Sequence, residues 1–221
     1  FYSAYKKGIV GTTPKIGVWI SGFFGSGKSH FLKILSYLLE NRQVGSRRAM
    51  DYFVEDKKIV DPMVLADMKL AAETPTDVIL FNIDSKSETN GKQNKDAIVN
   101  VFLKVFNQMQ GFCSSVPHVA DLERRLSEEG RYDEFKAAFE EEYGEPWEDS
   151  RQDFDFIQDS VVDALVSMDF MSEAAARNWC EKAVEPYTIS IEDFAKRVKA
   201  YIDRKGNNHH VVFLVDEIGQ Y

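Results

Sequence analysis

The sequence predicts an α/β fold in which a parallel sheet presents a phosphate-binding loop, and three observations carry that prediction. Gly22-Phe23-Phe24-Gly25-Ser26-Gly27-Lys28-Ser29 spells G-x-x-x-x-G-K-S, the spacing of a loop that wraps phosphate in backbone N–H groups. A strand-like run (Ile16, Val18, Trp19, Ile20) precedes it and a helix-like run (Phe31, Leu32, Leu35, Leu38, Leu39) follows, which is the context the motif requires. Far along the chain, Val211-Val212-Phe213-Leu214-Val215 is apolar throughout and closes on Asp216-Glu217. Such a run suits a strand covered on both faces.

Taken in order, residues 1–11 read as a short helix or arm ending at the Gly11-Thr12-Thr13-Pro14 turn. Residues 15–21 are the expected first strand, and 29–41 the first helix. Residues 42–48 are polar and read as loop. A short helix is expected over 50–54 and a clearer one over 62–72, before Pro75 breaks the chain. Asp77-Val78-Ile79-Leu80-Phe81-Asn82-Ile83 is a second buried strand, leading into Asp84-Ser85-Lys86-Ser87 and a polar loop over 88–94. Residues 96–110 predict an amphipathic helix with Ile98, Val99, Phe102, Val105, Phe106 and Met109 on its apolar side.

From 111 to 208 the pattern is helical, with candidates over 119–129, 132–143, 152–168, 172–184 and 190–205. Ser190 with Asp193 is close to a capping box, and Gly206-Asn207-Asn208 stops the last helix. The third strand is 210–216. The predicted organisation is a core over 1–110, a helical insertion over 111–208 and a return strand within 209–221. A later strand normally sits between the first and third in this fold class. The sheet is therefore expected to be incomplete, or to borrow pairing from another chain.

The loop residue types follow from the chemistry of a triphosphate, an anion crowded with acceptor oxygens. Gly22, Gly25 and Gly27 let the backbone come close. The helix behind aims its free N–H groups and positive dipole end at the phosphates. Lys28 supplies a point charge for the β- and γ-phosphates, and the Ser29 hydroxyl is expected on Mg²⁺. With Phe23, Phe24, Ser26 and the adjoining His30, these residues form the expected nucleotide-binding set. Asp216 is the second expected Mg²⁺ residue, acting through water. Glu217 is the expected general base and, with Lys28, the catalytic pair. The apolar strand closing on Asp-Glu is the Walker B pattern. ATP is the expected nucleotide; no guanine-reading N-K-x-D occurs, which does not by itself separate ATP from GTP. Asn82 and Asp84 lie where ligands gather in parallel sheets. A polar side chain there either holds Glu217 in an inactive pose or makes an ordinary strand-end hydrogen bond. His209, His210, the run Glu140-Glu141-Glu142 and the basic pairs Arg47-Arg48, Lys57-Lys58 and Arg124-Arg125 read as surface groups.

Composition narrows the classes further. The chain has 221 residues, 44% hydrophobic and 29% charged, with net charge −9. That acidity opposes a strongly basic nucleic-acid surface and leaves DNA contact to a local patch. Cys113 and Cys180 lack a C-x-x-C neighbour, which excludes a disulfide framework and fits a reducing cytoplasm. No apolar run approaches the ~18 residues that span a bilayer. Beginning at Phe1 and closing four residues after Glu217, the sequence is expected to be a segment of a longer protein.

The stretch from Trp19 to Lys33, the segment Val78 to Lys86 and the ending Val212 to Tyr221 together resemble the BrxC/PglY-type ATPase family of BREX phage-defence systems. Ser21-Gly22-Phe23-Phe24 and Glu217-Ile218-Gly219-Gln220-Tyr221 are the more specific parts. The resemblance implies an AAA+-like (additional-strand catalytic-glutamate) ATPase module in a bacterial complex acting on phage DNA. It also implies other proteins of the BREX system as partners, self-association of the parent, and sensor and arginine-finger residues outside this sequence. Weak or no hydrolysis is then expected of the segment alone. A non-hydrolysing, nucleotide-dependent protein or DNA interaction module stands as the alternative. A small-molecule kinase shares the loop, but the strand ending in Asp216-Glu217 argues against it.

Overall fold

A computed structural model describes residues 1–83 and 95–218. The chain divides into two compact units, Phe1–Gln93 with Ile191–Tyr221, and Asn94–Ser190. The sequence pattern puts these boundaries at 110/111 and 208/209. A helix joins whichever core its apolar stripe covers, and its own sequence does not say which.

In the first unit, helices α1 (Tyr2–Val10) and α2 (Lys28–Leu39) are followed by a two-rung antiparallel hairpin, β1 (Gln43–Val44) and β2 (Arg47–Arg48). The polar run 42–48, expected as loop, is therefore paired. Gly45, at φ +63, supplies the left-handed turn position that a two-residue hairpin loop needs. Helices α3 (Ala49–Glu55) and α4 (Pro62–Glu73) come next. Asp61 caps α4 through the N–H groups of Met63 and Val64, and Pro62 opens it. Strand β3 (Thr76–Asn82) then pairs in parallel with β4 (His210–Asp216), from Thr76 opposite His210 to Asn82 opposite Asp216.

Alternation along these strands places helices on both faces. Leu32, Leu35 and Leu39 of α2 pack with Leu214, Val212 and Val78, joined by Tyr2, Tyr5 and Ile9 of α1. The opposite face carries Phe213, which meets Phe194 of α11 (Ile191–Lys205) at 6.1 Å between ring centroids.

The expected first strand, 15–21, is not one. It carries no ladder among the described residues, and Ile16 and Trp19 stand exposed. Only Ile20 tucks against the α2–β4 cluster. An alternating apolar run encodes readiness for a half-buried extended chain, but the hydrogen bonds of a strand come from a neighbour. The ladder of β3 and β4 is with each other.

The second unit is helical: α5 (Lys95–Met109), α6 (Pro117–Glu128), α7 (Tyr132–Tyr143), a short α8 (Trp147–Ser150) running through a 3₁₀ turn (Arg151–Asp153) into α9 (Phe154–Ser167), and α10 (Glu173–Ala183). Trp147 is fully buried, with the rings of Phe135 and Phe139 edge-on at 5.0 Å each. Around them lie Val119, Leu126, Phe154, Val161 and Leu165. Within this core the carboxylate of Glu123 is wholly enclosed. It accepts from Tyr132 Oη and Trp147 Nε1 at 2.8 Å, from Arg151 Nη1 at 2.7 Å and from the Cys113 N–H at 2.5 Å.

Candidate functional site

The phosphate-type loop runs directly into α2. Gly25 (φ +75) and Gly27 (φ +85) adopt left-handed backbone that strains any other residue. A Cβ on Gly22 would stand 2.7 Å from Ser26 Oγ, so a side chain there would require that hydroxyl to turn away. Gly27 is the N-cap of α2 and offers no side-chain acceptor. The first-turn N–H groups are thus left without the usual cap, the arrangement that receives an anion. Lys28 curls back over the loop and donates from Nζ to the carbonyl oxygens of Gly22 and Phe23 at 2.8 Å each, with Ser26 Oγ at 3.5 Å. The ammonium is thereby fixed at the centre of the loop. Ser29 and His30, on the first turn of α2, are exposed. The side chains of Phe23 and Phe24 are 91% and 105% exposed, so any contribution of theirs to phosphate comes from their backbone.

The acidic pair sits at the carboxyl end of the parallel strands. Asp216 is the last residue of β4 and lies opposite Asn82. Its Oδ1 accepts from the Glu217 N–H at 3.0 Å. Glu217 takes a left-handed backbone, φ +60, unusual for a residue with a Cβ and costing on the order of 1–3 kcal/mol. That turn brings its carboxylate to the Asn82 side chain, whose Nδ2 donates to Oε2. Of the two strand-end residues singled out in the sequence, Asn82 therefore touches Glu217, while Asp84 lies outside the described residues.

The packing of α2 on β4 puts the loop helix and the acidic strand in one unit. Among the described residues no hydrogen bond or ion pair joins Lys28 or Ser29 directly to Asp216 or Glu217. Among the described residues no three His, Cys, Asp or Glu cluster as a self-sufficient metal site. One hydroxyl and one carboxylate are what Mg²⁺ uses when phosphate oxygens and waters complete its octahedron. The glycine-rich cradle, with Gly25 and Gly27 in left-handed backbone, and this sparse donor set both fit a Mg²⁺-bound polyphosphate.

At the amino end of the same strands lies a group that sequence reasoning missed. Asp77 Oδ2 accepts from Tyr201 Oη at 2.5 Å and from His209 Nε2 at 2.7 Å. His209, read as a surface residue, has a side chain only 11% exposed. Burial works against the Asp77 charge, but the two hydrogen bonds and the His209 and Lys205 charges outweigh it, holding its carboxyl below the ordinary range. Burial and the Asp77 contact push the Tyr201 phenol up. The signal available in sequence was a lone aspartate opening an apolar strand.

Among the described residues no helix is long and apolar enough to cross a membrane. The model of the KAP family P-loop domain matches residues 1–220. No solved structure matches the chain.

Proposed function

The chain belongs to the KAP family of P-loop NTPase domains, and from that premise we propose that it binds ATP with Mg²⁺ and hydrolyses it. Lys28, the loop N–H groups from Gly22 to Ser29 and the first turn of α2 hold the phosphates. His30 borders them. The Ser29 hydroxyl and Asp216 hold the Mg²⁺, which supplies charge neutralisation at the transferring phosphoryl group. Glu217 accepts the proton of the attacking water. Asn82 restrains that carboxylate, so the base becomes available once the Asn82 contact opens. One observation carries this reading: the lysine is centred in its loop on a helix that packs against the very strand ending in Asp216 and Glu217.

The resemblance to the BREX ATPases supports a finer reading. In it, hydrolysis drives or switches a cytoplasmic anti-phage complex acting on DNA, with self-association of the protein and other BREX-system proteins as partners. The helical unit Asn94–Ser190 is the proposed docking module. The contact that occupies Glu217 favours a second reading, an interaction module that binds nucleotide without turnover. The test is steady-state ATPase assay of the intact protein, with and without DNA and partner proteins. Lys28→Ala is expected to abolish nucleotide binding, and Glu217→Gln to retain binding while losing turnover. Wild-type turnover in Lys28→Ala would refute the ATPase reading. Tight binding with no turnover under any of these conditions would establish the second.

A further inference from the structure

Strands β3 and β4 are poor at specifying their own alignment. Val78-Ile79-Leu80-Phe81 faces Val212 to Val215, and sliding either strand by two residues within this stretch exchanges one apolar side chain for another on the same face. Polar groups at the strand ends break this degeneracy. At the carboxyl end Asn82 donates to Glu217. At the amino end Asp77 accepts from His209, the residue before β4, and from Tyr201 of α11. A two-residue slip moves the partners by about 6.6 Å and breaks both ends.

We propose that Asp77, His209 and Tyr201 form a register lock that places Asp216 and Glu217 at the nucleotide from the far end of the sheet. The lock rests on the reading of Glu217 as the base. It lies about 20 Å from Asp216 along the strands, so its members are positioning residues that touch no reacting atom. Neighbours on α11 flank it, and further contacts hold the adjoining strand ends. Lys205 of α11 sits 5.4 Å above the Tyr201 ring, and the Arg204 charge acts on the same phenol. His210 follows His209 and donates its backbone N–H to the Pro75 carbonyl at 2.9 Å. From α1, the Tyr5 ring meets His210 at 5.6 Å and its hydroxyl lies 3.2 Å from Thr76 Oγ1.

The experiment compares wild type with Asp77→Ala, Asp77→Asn and Tyr201→Phe in the intact protein. It reads kcat and KM for ATP, equilibrium binding of a non-hydrolysable ATP analogue, and amide hydrogen exchange across 210–216. Asp77→Ala is expected to lower kcat by about 10- to 100-fold, the scale of a 1 Å misplacement. Analogue affinity stays within about twofold, because the loop is untouched. Exchange in β4 accelerates while α2 is unchanged. Asp77→Asn keeps an acceptor oxygen and recovers most of kcat, and Tyr201→Phe falls between. Wild-type kcat and exchange in Asp77→Ala would overturn the proposal. So would loss of analogue binding together with faster exchange throughout the unit, which marks a general scaffold residue. If wild type shows no turnover, the ATPase reading fails by itself. Selective loosening of β4 in Asp77→Ala, absent in Lys28→Ala, then still decides for the lock, and its absence against it.

Discussion

Glu217 combines two unusual features, a left-handed backbone and a carboxylate held by a side chain from another strand. A general base needs its lone pairs free toward water. The Asn82 contact takes part of that capacity and points the group along the strand ends. A hydrogen bond to a charged group contributes about 1.5–3 kcal/mol, enough to bias the carboxylate between two poses by more than tenfold. Asn82→Ala is accordingly expected to raise basal ATP turnover by about tenfold while leaving nucleotide affinity unchanged, as measured in a coupled assay at saturating ATP. Unchanged or lower turnover would mean that Asn82 supports the productive pose instead. Lys28 shows the complementary logic. Its two carbonyl partners keep the ammonium central, and a phosphate oxygen is a stronger acceptor than either.

Among the elements, α6 and the turn after α8 depend on one enclosed charge. Four donors converge on Glu123, and Arg151 compensates its charge at 2.7 Å. Removing one partner from such a pair strands the other and costs about 3–5 kcal/mol. Glu123→Ala is expected to lose stability on that scale, read from urea unfolding followed by tryptophan fluorescence, since Trp147 is itself one of the donors. The amino end of β4 carries a pH dependence of opposite origin. Burial first, then the adjacent His209 charge, hold the His210 imidazole below its ordinary value of 6.5. As pH falls below 6.5 the unfolded chain takes up a proton that the folded chain refuses. Stability from this group is complete above that pH and declines as acidity increases through the window beneath it. In an NMR titration His210 is expected to titrate below 6.5, and His210→Gln to flatten that part of the stability profile.

Across the whole molecule, charge is divided unequally. Residues 94–190 hold 21 acidic and 9 basic side chains, a net −12, whereas the rest hold 15 acidic and 18 basic, a net +3. The acidity of the chain therefore belongs to the helical unit, and the phosphate-binding unit is mildly basic. A compact body of one sign repels itself, and salt screens that repulsion. Raising NaCl from low concentration to about 0.5 M, several times shorter in screening distance, is expected to increase the melting temperature of the helical unit. Fluorescence reports it selectively, because Trp147 and Trp179 lie in that unit while Trp19 is solvent-exposed in the other. A falling melting temperature would show that ion pairs such as Arg151–Glu123 outweigh the repulsion.

The sequence by itself determined whatever is local. The glycines, lysine and serine of the loop sit in eight consecutive residues, and the helix behind them follows from apolar spacing. The helix over 132–143 and the strand over 210–216 appear with the bounds their patterns imply, since a cap glycine and a continuous apolar run are signals carried within one segment. Only the tertiary structure decided which distant residues meet. Asn82 reaches Glu217 across 135 positions, and Asp77 reaches His209 across 132. Nothing in either local pattern names its partner. Nor could periodicity reveal that 15–21 lies without a ladder among the described residues or that Glu123 is enclosed rather than solvated. Side-chain spacing fixes which face a residue occupies, and the neighbour that covers that face comes from the rest of the fold.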